Sequence, residues 1–181
     1  MPGAEFSLPS FAKINWSLRI LGTRPDGFHE LCTVLQTISL HDTLTFRKSD
    51  KLVLTCDDPQ IPTDRNNLVI KAAGALRELS GVNAGAAIHL EKKIPSPGGL
   101  GGGSSNAATA LLGLRKLWSL DVDDRELEEI ASGLGSDMPF FLHGGRCLGT
   151  GRGEAIEDLP DIVEKYILIV TPSVSVSTAH A

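Results

Sequence analysis

The amino-acid sequence predicts an α+β fold, and three features carry that expectation. Residues 12–20, AKINWSLRI, alternate apolar and polar side chains without a break, which is the period of a half-buried strand. Residues 67–79 and 105–118 carry small or apolar side chains at helical spacing. Strands and helices follow one another without the regular alternation that builds a doubly wound parallel sheet.

In the first strand, Ala12, Ile14, Trp16, Leu18 and Ile20 fall on one face, and Lys13, Asn15, Ser17 and Arg19 on the other. Pro25, Asp26 and Gly27 supply turn chemistry after it. Residues 31–40, 43–46 and 52–56 read as further strands. The helix over 67–79 places Leu68, Ala72, Leu76 and Leu79 on one side. Residues 85–94 read as a strand running into a glycine-rich loop. The helix over 105–118 is small or apolar nearly all round, so it is expected to be buried. Asp123 and Glu126 have the spacing of a capping box, with Gly133 near the end of that helix. Residues 137–142 read as a short helix or turn, and 166–170, YILIV, as a buried strand.

A length of 181 residues suits one domain, or one domain and part of a second. Apolar residues at 41% and charged residues at 22% allow a sizeable core. The net charge of −5 argues against a general binder of nucleic acid or anionic membrane, but leaves room for a local basic pocket. Cys32, Cys56 and Cys147 stand far apart, which suits buried free thiols better than a metal site or disulfide framework. The first residues lack the basic-then-apolar pattern of a secretory leader, and no apolar run reaches membrane-spanning length. The expected location is cytoplasmic.

The chemistry concentrates in PSPGGLGGGSSNAA, residues 95–108, between a strand and a helix. Glycines allow successive backbone N–H groups to face an anion without obstruction by Cβ. The helix that starts near Ser104 brings its positive end to the same place. Ser104 and Ser105 add hydroxyls suited to phosphate oxygens or a magnesium ion. No Lys follows the glycines, as a Walker A loop requires, and the spacing of a dinucleotide fingerprint is not met.

These residues resemble the P-x-x-x-G-L-G-[GS]-S-S-x-A-A signature of the GHMP kinases, the family of galacto-, homoserine, mevalonate and phosphomevalonate kinases. AKINWSLRILGTRPDGFHEL, RNNLVIKAA and LGSDMPFFLHGG agree with its isoprenoid branch, in family order. The resemblance implies a GHMP-kinase N-terminal domain (ribosomal protein S5 domain 2-like), a mixed sheet packed on helices, over residues 1–170. It implies ATP and Mg²⁺ as cofactors and a small-molecule alcohol as partner, the 2-hydroxyl of 4-diphosphocytidyl-2-C-methyl-D-erythritol. Another alcohol of the homoserine or mevalonate type is the alternative, as is a shortened nucleotide-binding fragment without turnover. Residues 171–181 would begin the connection to a C-terminal domain that the chain does not contain.

By the same resemblance, Asp137 is the general base and Lys13 its cationic partner. From spacing alone, Asp137 equally suits a cap on the turn begun by Met138 and Pro139, and Lys13 a solvated strand residue. The ATP-binding loop comprises Pro95, Ser96, Pro97, Gly98, Gly99, Leu100, Gly101, Gly102, Gly103, Ser104 and Ser105. Pro97 lacks an N–H, so the cradle begins at Gly98. Asn67, Leu68 and Lys92 match positions that border the adenosine in relatives, although Asn67 also suits a helix cap and Lys92 a solvated strand position. Asn15, Phe28 and His29 are the implied substrate contacts, with Phe28 stacking on the cytosine where Tyr is commoner; core packing is the other reading of Phe28. Gly151–Glu154 echoes a short family turn without assigned chemistry. The metal ligands are not identified.

Overall fold

The computed structural model describes residues 5–96, 98–162 and 166–171. In chain order these form β1 (Phe6–Thr23), β2 (His29–Ser49), β3 (Leu52–Cys56), α1 (Leu68–Ser80), β4 (Gly85–Glu91), α2 (Gly102–Trp118), α3 (Asp124–Leu134), α4 (Met138–His143), β5 (Arg146–Gly151) and β6 (Ala155–Leu159). The expected α+β class holds, and the sheet is mixed. β3 runs parallel to β4, and every other pairing is antiparallel.

The 21-residue β2 organises the sheet. One of its edges pairs with β1 from Phe46 to His29. Residues 31–36 also pair with β5 and residues 43–49 with β4, so these two strands share the opposite edge. Residues 37–42 therefore lie in a gap between them. The stretches read as separate strands over 31–40 and 43–46 are one continuous strand.

The core follows the period of two. Leu44 and Phe46, Ile88 and Leu90, and Leu54 share one sheet face. Against it pack Val69, Ala72, Ala73 and Leu76 of α1 and Ala107, Ala110, Leu111 and Leu114 of α2. Gly113 lies where a Cβ would come 2.3 Å from the Phe46 ring, so glycine there sets how closely α2 approaches the sheet.

Several expectations are corrected. β1 is a strand, but Trp16, Leu18 and Ile20 are exposed rather than buried, while Lys13 on the expected solvent face is buried. Register shifts at Phe11/Lys13, Asn15/Ser17 and Ile20/Gly22 break the simple alternation of faces. The helix placed at 105 begins three residues earlier, at Gly102. The strand placed over 85–94 ends at Glu91. Gly133 lies inside α3, and the helix is closed by Gly135. Residues 166–170 form no strand; with no ladder partner among the described residues, Tyr166, Leu168 and Val170 stay exposed. Cys147 is buried, but Cys32 and Cys56 are only half-buried. β5 and β6 were not expected, because their glycines and charges mask a strand pattern.

Candidate active site

β1, the glycine loop and α4 meet at Lys13. Its backbone N–H donates to the carbonyl of Leu100 at 3.0 Å, which ties the strand to the loop. Its ammonium lies 3.3 Å from Asp137 Oδ2 and donates to Asn15 Oδ1 at 2.8 Å. The Asn15 amide in turn donates to Thr33 Oγ1 at 2.7 Å, and that hydroxyl donates to the carbonyl of Ser17 at 2.8 Å. Lys13 is thus oriented from three directions, and the irregularity at Phe11/Lys13 turns it inward. Asp137 precedes α4 without a side-chain capping bond, so the cap reading is not realised. Its side chain keeps 44% of its accessibility. The result is a carboxylate held beside a buried ammonium and open to a ligand.

Gly101 closes the loop against this pair. Its φ is 72°, and a Cβ would fall 2.5 Å from the Phe141 ring and 3.1 Å from Lys13 Cγ. The left-handed conformation and the lack of space both require glycine. The first helical bond of α2 runs from Ser105 N–H to Gly101 C=O, which leaves the N–H groups of Gly102, Gly103 and Ser104 at the open helix end.

The expected binding residues divide by position. Ser96, Gly98, Gly99 and Gly103 are exposed and Ser104 half-buried, while Pro95 precedes them on the same loop. Pro97 lies outside the described residues. Leu100 is buried with Ala12 and Ile94, and anchors the loop. Ser105 is turned inward: its hydroxyl donates to the Phe11 carbonyl at 2.6 Å and lies 2.8 Å from Ser10 Oγ. Asn67 caps α1, accepting from Val69 N–H at 2.8 Å. Leu68 packs on the main core and reaches toward Gly103. The Lys92 ammonium is buried against Asp42 at 2.5 Å.

Phe28 and His29 lie at the other end of β2. Phe28 is 53% exposed, so the core-packing reading does not hold. Its N–H donates to Asp26 Oδ1 at 3.1 Å, the main reason the Asp26 carboxyl is held below its ordinary range. The Arg152 guanidinium lies 4.9 Å from the Phe28 ring centre, so the unassigned Gly151–Glu154 turn reaches this aromatic.

Sequence reasoning missed the polar network beneath the loop. Asn106 Nδ2 donates to Ser10 Oγ and to Asp42 Oδ2, at 2.9 and 2.8 Å. Asp42 gave one signal, a carboxylate inside a strand-like apolar pattern, where Asp is disfavoured.

Residues 67–145 match the family of the GHMP kinases N terminal domain. The chain carries a GHMP kinase N-terminal domain. It is 48% identical, over 98% of its own length, to a 4-diphosphocytidyl-2-C-methyl-D-erythritol kinase of Chlorobium phaeobacteroides (strain BS1), and it spans 62% of that relative. A solved 4-(cytidine 5'-diphospho)-2C-methyl-D-erythritol kinase superposes with a TM-score of 0.73 at 39% identity, covering 85% of this chain and 55% of that one. Methanococcus jannaschii mevalonate kinase superposes at 0.67 with 13% identity, over 87% of this chain and 56% of that one, which shows the shared fold. Within this chain the glycine loop, Lys13 and Asp137 meet around one point.

Proposed function

We propose that this chain supplies the nucleotide loop and catalytic base of an ATP-dependent kinase acting on the 2-hydroxyl of 4-diphosphocytidyl-2-C-methyl-D-erythritol. The observation that carries this reading is the Lys13–Asp137 pair, 3.3 Å apart and tied to the glycine loop through Leu100. The relatives at 48% and 39% identity are kinases named for the same acceptor.

In this reading the N–H groups from Gly98 to Ser104 hold the phosphate chain at the positive end of α2. The acceptor hydroxyl lies against Asp137, which takes its proton as the oxygen bonds to the γ-phosphorus. The bond from that phosphorus to the bridging oxygen breaks, and ADP leaves with the electron pair. Lys13, 3.3 Å from Asp137, orients that carboxylate and offsets charge on the transferring group. No cluster of three or more acidic, His or Cys side chains suited to a metal occurs among the described residues. Mg²⁺ would thus be held mainly by the phosphates, with the Ser104 hydroxyl as the loop's oxygen donor, and would screen their charge. Phe28 offers a face to the cytosine, His29 reads its edge, and Asn15 bonds the acceptor. The pathway is the non-mevalonate route to isoprenoids, and the location is cytoplasmic.

The test is ADP release with ATP, Mg²⁺ and this acceptor, against blanks that replace it by homoserine or mevalonate. ADP that depends on the cytidyl acceptor and disappears in Asp137→Asn is expected. Equal ADP with either blank alcohol overturns the acceptor assignment, and a chain that binds no ATP overturns the kinase reading.

A further inference from the structure

Asp42 lies in the gap on the second edge of β2, beside the point where β4 departs. It has no exposure to solvent. Oδ1 accepts the backbone N–H groups of Lys93 at 2.6 Å and Ile94 at 2.8 Å. Oδ2 accepts Lys92 Nζ at 2.5 Å and Asn106 Nδ2 at 2.8 Å. A carboxylate offers about four lone-pair sites, and all are filled. Lys93 and Ile94 stand where the chain enters the glycine loop. Asn106 stands in the helix that leaves it. One buried side chain therefore grips both ends of a loop whose glycines give it little rigidity of its own.

The same carboxylate answers a charge problem. Lys92 is buried, and a Cβ at Gly102 would lie 3.2 Å from its ammonium, beneath the start of α2. The positive end of a helix disfavours a cation, and a buried cation without a partner is costly. Asp42 cancels that charge.

We propose that Asp42 is the positioning residue of the glycine loop: it pins both ends and neutralises Lys92, so that loop N–H groups rather than Lys92 meet the phosphates. The ligand rests on the kinase reading above; the pinning does not. Asp42→Asn keeps an oxygen for Lys93 and Ile94 but sets an NH₂ group against two donors. Lys92→Met strands the carboxylate. Together they remove both charges, and Asn106 can turn its amide to accept.

The experiment is amide hydrogen exchange over residues 98–104 in both single variants, the double variant and the wild-type chain, with ATP affinity by calorimetry. Each single variant is expected to speed loop exchange by about tenfold or more, and Asp42→Asn to weaken ATP by a similar factor. The double variant is expected to return loop exchange to within about threefold of wild type. An unfolded single variant beside a folded double variant is the same coupling at larger amplitude. A double variant as loose as the two singles combined, or unfolded, overturns the proposal. So does tighter ATP binding in Asp42→Asn, because a freed Lys92 would then be reaching the phosphates. A wild-type chain that binds no ATP removes the nucleotide reading, while loop exchange still decides the role of Asp42.

Discussion

Asp137 heads a helix yet spends its carboxylate on Lys13, 3.3 Å away, rather than on a cap. On the proposed kinase reading, isosteric Asp137→Asn keeps the shape and removes the proposed proton acceptor. Turnover should fall by about 10²–10⁴-fold with ATP affinity within a few-fold, measured by ADP release and calorimetry. Cys147 shows the opposite use of burial. Desolvation, with Asp158 beside it, pushes its thiol up to about 12 from 9.0. The folded state then holds a proton that the unfolded chain loses first, so this contribution is intact below pH 9.0 and declines between 9.0 and about 12. Mass spectrometry after iodoacetamide at pH 8 should find Cys147 unmodified in the native chain and alkylated in guanidinium, with Cys32 and Cys56 reacting first. At this scale the need for glycine was legible at Gly101, where a left-handed backbone and a close ring leave no room for a side chain. Asp42 and Asn106 were not, because their partners lie 52 and 64 residues away.

Among the elements, α2 joins site and core. Its first turn continues from the glycine loop and Gly113 faces Phe46. Gly113→Ala places a methyl group 2.3 Å from that ring, and overpacking of this kind costs about 1–3 kcal/mol, despite the better helix propensity of Ala. A lower midpoint in urea is the expected reading. The capping box of α3 is fully formed, with Glu126 N–H donating to Asp123 Oδ1 at 2.8 Å and Asp123 N–H to Glu126 Oε2 at 2.9 Å. Asp123→Ala should cost about 1 kcal/mol by the same denaturation. The periodic helices and the box were readable locally, since each depends on neighbours a few residues away. β5 and β6 were not, because their pairing with β2 and with each other comes from distant chain.

For the molecule as a whole, the outer part of β1 carries an uncovered apolar row. Trp16, Leu18, Ile20 and Leu21 keep 46–61% of their accessibility. A row of this kind binds hydrophobic dyes. The chain should enhance the fluorescence of an anilinonaphthalene sulfonate, and Leu18→Ser with Ile20→Ser should lower it without moving the urea midpoint. The residue pattern alone was enough for an α+β chain and for a glycine-rich loop running into a buried helix, because these rest on local periodicity and local backbone chemistry. The pairing of Lys13 with Asp137 was expected only through the family resemblance; the tertiary structure alone decided that Lys13 is buried and that Asp42 bonds to both ends of the loop. Those facts depend on strand irregularities and on which distant segments meet, and no local pattern encodes them.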